Sequence, residues 1–400
     1  MKTLIKKMAG YDRPQMAKEM GIYPYYHPLE SGQDAEVLIN GKKILMFGSN
    51  SYLGLTNHPK LIEAAKDALD KYGTGASGSR LMNGNLDLHE ELEASLAEFT
   101  GKPASAVFST GFQANLGTVS ALIGRNDFIV MDEKNHASII EGSRLSYAKS
   151  LKFRHNDMIS LEENLKKTDP AQIILIVVDG VFSMEGDIAP LDEICRLAEK
   201  YSASVMVDDA HALGVLGVGG AGTASHFGVT DNVDLIMGTF SKSLASLGGF
   251  VASDIDTINF LKHNARSLLF SAGIPPASAA VVLKALQIIK EEPERREKLW
   301  ENAGYARHLL KRHGFEIGES QTPIIPIFIG DEQNTFTIAT LLMSQGVYVN
   351  PIIHPAVGKD EAMLRFSLMS THTKEQIDTA ISKLVQSRAM MNGKLSKIMV

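Results

Sequence analysis

One cysteine in 400 residues, Cys195, leaves no partner for an intramolecular disulfide and too few thiolates for a cysteine-rich zinc site. It falls in the helical pattern Leu191-Asp192-Glu193-Ile194-Cys195-Arg196-Leu197, which reads as a buried helix position rather than a nucleophile. No apolar run reaches the ~18–20 residues of a membrane span. Met1 to Gly10 has lysines but no apolar core or cleavage pattern, so a secretory signal is not expected and the chain reads as cytoplasmic. Positive charge is not in excess either. A net charge of −6 argues against a general nucleic-acid binder and leaves room only for a local basic patch. The phosphate loop G-K-[ST], the zinc motif H-E-x-x-H and the elbow G-x-S-x-G are all missing, and the twelve histidines show no metal spacing. There are no repeats and no low-complexity tract.

What is present is an ordinary soluble composition on a chain long enough for one large domain and a smaller one. Met1 to Met20 is weakly amphipathic and basic. It reads as a solvated or subunit-wrapping arm, with contact to a membrane surface as the alternative. Short apolar runs at Ala104 to Ser109, Phe128 to Met131, Ile173 to Val178, Ser204 to Val207, Leu235 to Met237 and Gly249 to Ala252 predict strands. Helical patterns at Asn115 to Ile123, Ala137 to Ser146, Ser160 to Lys167 and Leu191 to Tyr201 lie between several of them. Such alternation predicts an α/β domain whose mostly parallel sheet is covered on both faces, with ligands at the C-terminal strand ends. Pro276 to Gly314 reads as two long helices with Pro293 near their junction. Beyond Pro323 the pattern becomes a smaller α+β unit: a strand (Ile324 to Ile329), a helix (Thr335 to Gln345), two strands (Val347 to Ile352 and Met363 to Leu368) and a last helix (Lys374 to Met390). The expected division is an arm and segment at 1–60, a large domain at 61–290 and a C-terminal domain at 291–400.

Two residues suggest the chemistry. Lys242 follows an apolar run in Gly238-Thr239-Phe240-Ser241-Lys242-Ser243, and Asp208 ends another. A lysine amine forms an imine with an aldehyde cofactor, and a buried carboxylate keeps a pyridine nitrogen protonated. Pyridoxal phosphate (PLP) needs both. Taken alone, Asp208-Asp209 is equally a helix cap or solvated turn. His211, three residues on, could donate to the 3′ oxygen of the ring. His136 lies between a predicted strand and helix, where a structural role is the plainer reading until other site residues join it. Ser109-Thr110-Gly111-Phe112-Gln113 opens a helix whose first amides could bind phosphate or simply be capped. Thr239 and Ser241 could add hydroxyls to such a phosphate site. Arg365, inside the apolar strand Met363-Leu364-Arg365-Phe366-Ser367-Leu368, needs an anionic partner: a substrate carboxylate or a structural salt bridge. Gly73-Thr74-Gly75-Ala76-Ser77-Gly78 matches G-x-G-x-x-G. It follows a helical pattern (Pro59 to Tyr72) and precedes a polar loop, so it does not read as a dinucleotide site. Its glycines are expected to let backbone approach a ligand or another subunit.

With these residues assembled, roughly Tyr23 to Val385 resembles the α-oxoamine synthases, PLP enzymes of aminotransferase-like fold (fold type I). The resemblance rests on Asn50-Ser51-Tyr52-Leu53-Gly54-Leu55, Asn135-His136-Ala137-Ser138, Val181-Phe182-Ser183-Met184-Glu185-Gly186-Asp187, Asp208-Asp209-Ala210-His211, the Lys242 segment and Leu364-Arg365-Phe366-Ser367. It implies Lys242 as the imine-forming and proton-moving amine, Asp208 at the pyridine nitrogen, His211 at the 3′ oxygen, and His136 stacked on the ring and orienting a substrate carboxylate. It implies Gly111, Phe112, Thr239 and Ser241 around the phosphate, Ser271 reaching across from a second subunit, Ser183 near the ring, and Asn50 and Arg365 on substrate. It further implies a homodimer with its site at the interface. The reaction expected is a decarboxylating Claisen condensation of an amino acid with an acyl thioester, giving an α-amino ketone.

Met46 to Leu55 and Gly238 to Phe250 are most similar to soluble bacterial members that join L-serine to a palmitoyl thioester, carried on coenzyme A or an acyl carrier protein. There are departures from that branch: Ala212 after His211 where serine is common, the Gly75-Ala76-Ser77-Gly78 version of the loop, and His354 near Arg365 where a small residue is common. An imidazole in place of a hydroxyl could suit cysteate as the amino acid, so His354 is a candidate substrate contact. Other readings are a short-chain acyltransferase of glycine or alanine, a PLP aminotransferase, and a non-enzymatic paralogue. The last should lack the lysine or the aspartate, and both are present.

Overall fold

The computed structural model describes residues 2–398. The chain forms two compact units, one spanning Asn50–Trp300 and one made of the residues before Asn50 together with those from Glu301 on. The first and last segments, which read as separate in the sequence, thus share one unit.

The larger unit is built on a seven-stranded sheet. Its order across the sheet is Ala104–Phe108, Gly249–Ser253, Leu235–Thr239, Ser204–Asp208, Ile174–Asp179, Phe128–Asp132 and Lys149–Phe153. Gly249–Ser253 runs antiparallel to both its neighbours, and the other pairings are parallel. Alternate residues of each strand enter opposite cores, as the period of two requires. Ile174, Ile176 and Val178 pack with Leu191, Ile194 and Leu197 on one face. Leu175 and Val177 pack with Ala114, Val119 and Ile139 on the other. Burial on both faces explains the continuous apolar runs. Lys149–Phe153 is an edge strand not expected from the sequence. Only Phe153 is buried along its length, so no apolar run marks it. The acidic helix Asp87–Thr100 was also unanticipated; it buries Leu92, Leu96 and Phe99 behind a charged face. Its C-cap Gly101 takes the left-handed conformation that ends such helices (φ 73°).

The second unit holds two three-stranded sheets: Glu36–Ile39, Lys42–Met46 and Val347–Tyr348 in one, and Ile324–Gly330, Ala362–Ser367 and Asn350–Ile352 in the other. The run Val347 to Ile352, expected as one strand, serves both sheets. Its first part pairs parallel to Lys42–Met46 and its second antiparallel to Ala362–Ser367. His372 fills the core between turns: Nδ1 accepts from Met369 N–H at 3.0 Å and Nε2 faces Met46 O at 3.1 Å. Phe47 stacks on that imidazole (4.2 Å) and on Phe366 (4.4 Å). The N-terminal helices Thr3–Ala9 and Arg13–Glu19 bury no residue of their own. Among the described residues, no helix is long and apolar enough to cross a membrane.

Candidate active site

Three adjacent parallel strands of the large sheet end in Asp179, Asp208 and Thr239. Asp179 and Asp208 are register partners, so two carboxyls stand side by side where an α/β sheet presents its ligands. A cavity of about 270 Å³ opens there. It is lined by Asp179, Asp208, His136, His211, Thr239, Ser241 and Lys242, and by Gly111 and Phe112 from the start of the helix Gly111–Leu122. Eight of the residues singled out from the sequence therefore meet in one place, with Asp179 added.

Asp208 is held from both sides. Its Oδ2 accepts from Asn115 Nδ2 at 2.6 Å and its Oδ1 from Ala210 N–H at 3.0 Å. The same Asn115 amide nitrogen donates to Ser138 Oγ at 2.8 Å, and Ser138 Oγ lies 2.7 Å from His136 Nδ1. Burial holds the His136 imidazole below its ordinary pKa; Asp208 opposes that shift and Lys242 adds to it. Asp179 is pushed well above the usual carboxylate range by burial and by Asp208. Asp209 points away, accepting from Thr223 N–H at 2.8 Å, and burial raises it to about 7.

On the other side, Tyr52 OH lies 2.6 Å from His211 Nδ1 and donates to Asn50 Oδ1 at 3.3 Å. Tyr52 thus links two residues chosen from the sequence, and its own role was not anticipated. At the helix start, Thr110 caps Gln113 N–H at 3.1 Å, while the first amides of any helix have no acceptor within it. A Cβ on Gly111 would come within 2.7 Å of Thr239 Oγ1, so glycine there permits the close approach of helix and strand. Thr239 Oγ1 and Ser241 Oγ are 3.1 Å apart.

Other expected residues are not among those lining the cavity. Ser271 accepts from Gln113 Nε2 at 3.3 Å within its own chain. Ser183 belongs to the turn between the bridge partners Val181 and Ile188, of which Val181 lines the cavity. His155 pins that turn: its ring lies 3.1 Å from Asp132 Oδ1 and 3.2 Å from Asp187 Oδ2. Burial would lower its pKa, but these two carboxylates outweigh burial and raise it to about 9. Arg365 is in the second unit, buried in Ala362–Ser367 and donating to Ser367 Oγ at 2.7 Å. His354, also in that unit, is exposed, and Ala212 is fully buried. The glycine loop approaches its own chain closely. A Cβ on Gly84 would lie 1.9 Å from Gly78 O, and one on Gly78 would meet Asn83. Gly73 and Gly75 face open space.

The cavity fits pyridoxal phosphate on its own chemistry. It offers a buried anchored carboxylate for a pyridinium nitrogen and a lysine for the aldehyde, with hydroxyls and a helix start for the phosphate. The model of the aminotransferase class I and II family matches residues 42–384. The serine palmitoyltransferase of Sphingobacterium spiritivorum is 56% identical over 383 residues, 96% of each chain. An 8-amino-7-oxononanoate synthase of Alkaliphilus oremlandii is 44% identical, over 95% of this chain and 97% of its own. A solved serine palmitoyltransferase from S. paucimobilis, with bound PLP–myriocin aldimine, superposes with a TM-score of 0.94. It is 34% identical and the match covers 97% of this chain and 99% of that one. The chain belongs to the class I and II aminotransferase family and, within it, to the α-oxoamine synthase branch of PLP-dependent acyltransferases. Its fold is that of a fold type I PLP enzyme.

Proposed function

We propose that the protein condenses L-serine with a long-chain acyl thioester of the palmitoyl-CoA type. Carbon dioxide and the free thiol are lost, and an α-amino ketone of the 3-ketodihydrosphingosine kind is formed, opening sphingolipid synthesis. The observation that carries the reading is Asp208, doubly anchored in the cavity that Lys242 lines. The 56% identity to a serine palmitoyltransferase supports serine over its competitors. When bound, PLP supplies an electron sink that makes the α-carbon of the amino acid acidic.

The protein's own groups do the rest. Asp208 accepts from the ring nitrogen and keeps it protonated. Lys242 Nζ holds the cofactor, then takes and returns the α-proton. His211, steadied by Tyr52, donates at the 3′ oxygen. His136 covers the ring face and orients the substrate carboxylate. Gly111, Phe112, Thr239 and Ser241 hold the phosphate, with Ser271 contributed from the second subunit of a homodimer and Ser183 near the ring. Asn50 and Arg365 bind substrate, the guanidinium taking the carboxylate in bidentate fashion.

Thiol release from palmitoyl-CoA by the cofactor-loaded protein tests this, with L-serine, L-cysteate, L-alanine and glycine compared. Serine above all others supports the proposal. Preference for cysteate makes His354 a substrate contact and the enzyme a starter of sulfonolipids. Preference for alanine or glycine with a shorter acyl-CoA moves it toward the short-chain synthases. Amino-group exchange with a keto acid, without thiol release, makes it an aminotransferase.

A further inference from the structure

A chain of hydrogen bonds in the buried wall of the cavity runs from Asp208 through Asn115 and Ser138 to His136 and bears on where the imidazole proton sits. Asn115 and Ser138 are 0% and 1% exposed. The two hydrogens of Asn115 Nδ2 go to two acceptors, Asp208 Oδ2 at 2.6 Å and Ser138 Oγ at 2.8 Å. Turning the amide over would set its oxygen against a carboxylate, so the orientation is forced. Asn115 Oδ1 is buried without a hydrogen-bond partner, a cost accepted to keep the nitrogen on its two acceptors. Ser138 Oγ thereby accepts from Asn115, which leaves it one hydrogen and one lone pair for its other neighbour, His136 Nδ1 at 2.7 Å, so the direction there is set by what else points at Nδ1. The backbone N–H of Ser138 points at the same Nδ1, at 3.3 Å, because His136 caps the helix Ala137–Ser146. Nδ1 therefore accepts and carries no proton.

We infer that Asn115 and Ser138 are positioning residues that lock His136 as the neutral Nε2–H tautomer, so that its ring can act toward substrate only as a donor. This rests on the proposed role of His136 beside the substrate, and it assigns that role a direction: Nε2–H donates to the substrate carboxylate and takes no proton from the α-carbon. It also makes Asn115 a shared support. The same amide that anchors the acid at the pyridine nitrogen sets the proton on the imidazole.

The test is nitrogen NMR of ¹⁵N-histidine-labelled protein, with and without PLP, the His136 signals being assigned by their loss in His136→Asn. Wild type should show an unprotonated Nδ1 and a protonated Nε2. Asn115→Ala frees the serine hydroxyl to turn, and Ser138→Ala removes it, so both should shift the tautomer ratio by about fivefold or more toward Nδ1–H. Ser138→Thr keeps the hydroxyl and should restore the wild-type spectrum. A protonated Nδ1 in wild type overturns the inference even if Asn115→Ala fails to fold. So does an unchanged tautomer in both alanine variants. The ring is read without any amino acid, so a wrong substrate assignment leaves this result standing, and a wrong tautomer leaves the acyl transfer standing.

Discussion

The two units bury histidine in opposite ways. In the large unit His155 sits between Asp132 and Asp187, whose charges hold its pKa at about 9 despite burial. In the second unit His372 sits among Phe47, Phe366 and backbone groups, and burial drives it down to about 4, the bond to Met46 O only softening the fall. One is a cation that clips a loop; the other is a neutral wedge in a core. The contrast extends to the units themselves. The large one gathers carboxyls, a lysine and imidazoles at the end of a sheet. The second buries single ionisable groups apart from one another, Arg365 in the strand Ala362–Ser367 and His372 in the turn that follows it.

Replacing residues in each unit breaks that contrast by different amounts. Lys242→Ala should remove the visible absorbance of protein-bound cofactor and lower turnover by at least about 10³-fold, with the melting temperature of the apoprotein unchanged. Asp208→Asn keeps the shape but loses the anion, and steady-state assay should show turnover down by about 10²–10⁴-fold. Arg365→Lys, in the second unit, should act on binding instead: a KM for the amino acid raised roughly tenfold or more with a smaller change in kcat. An equal fall in kcat and kcat/KM would move Arg365 out of ground-state binding.

The histidines sharpen the comparison through pH. The pKa of His155 is raised on folding, so its stabilisation is complete below about pH 6.5 and lost as pH rises through 9. His155→Gln should therefore cost on the order of 2 kcal/mol at pH 6 and far less at pH 10, read by urea melts. The pKa of His372 is depressed, so its contribution stands above pH 6.5 and is lost as pH falls toward 4. The gap in stability between wild type and His372→Gln should narrow from pH 7.5 to pH 4. Smallest of all, Cys195→Ala should leave turnover untouched and cost about 1 kcal/mol, as a buried packing position does.

Much of the large unit was legible because its strands are buried on both faces and read as unbroken apolar runs. Lys149–Phe153 was not, since an edge strand carries lysines where an inner one carries valine. Lys242, Asp208, His136 and His211 were legible through their motifs. Asn115 and Ser138 lay inside segments already read as a helix and a motif, and nothing local marks an amide whose partner is 93 residues away. Tyr52 was hidden in the same way, its contact with His211 spanning 159 residues. His155 and His372 look alike in the sequence, because what separates them is which groups the fold brings to the ring.

The strand Lys42–Met46 pairs with Val347–Tyr348, Leu45 opposite Val347, across roughly 300 residues of intervening chain. Translation at roughly 5–20 residues per second puts about 15 to 60 s between the synthesis of the two strands. For that interval the edge of Lys42–Met46 and the Phe47 ring are without Val347, Phe366 and His372, while all of Asn50–Trp300 is made and free to fold. The second unit is therefore the last to close on the ribosome, and the early hairpin Glu36–Met46 is the segment a chaperone has most reason to hold.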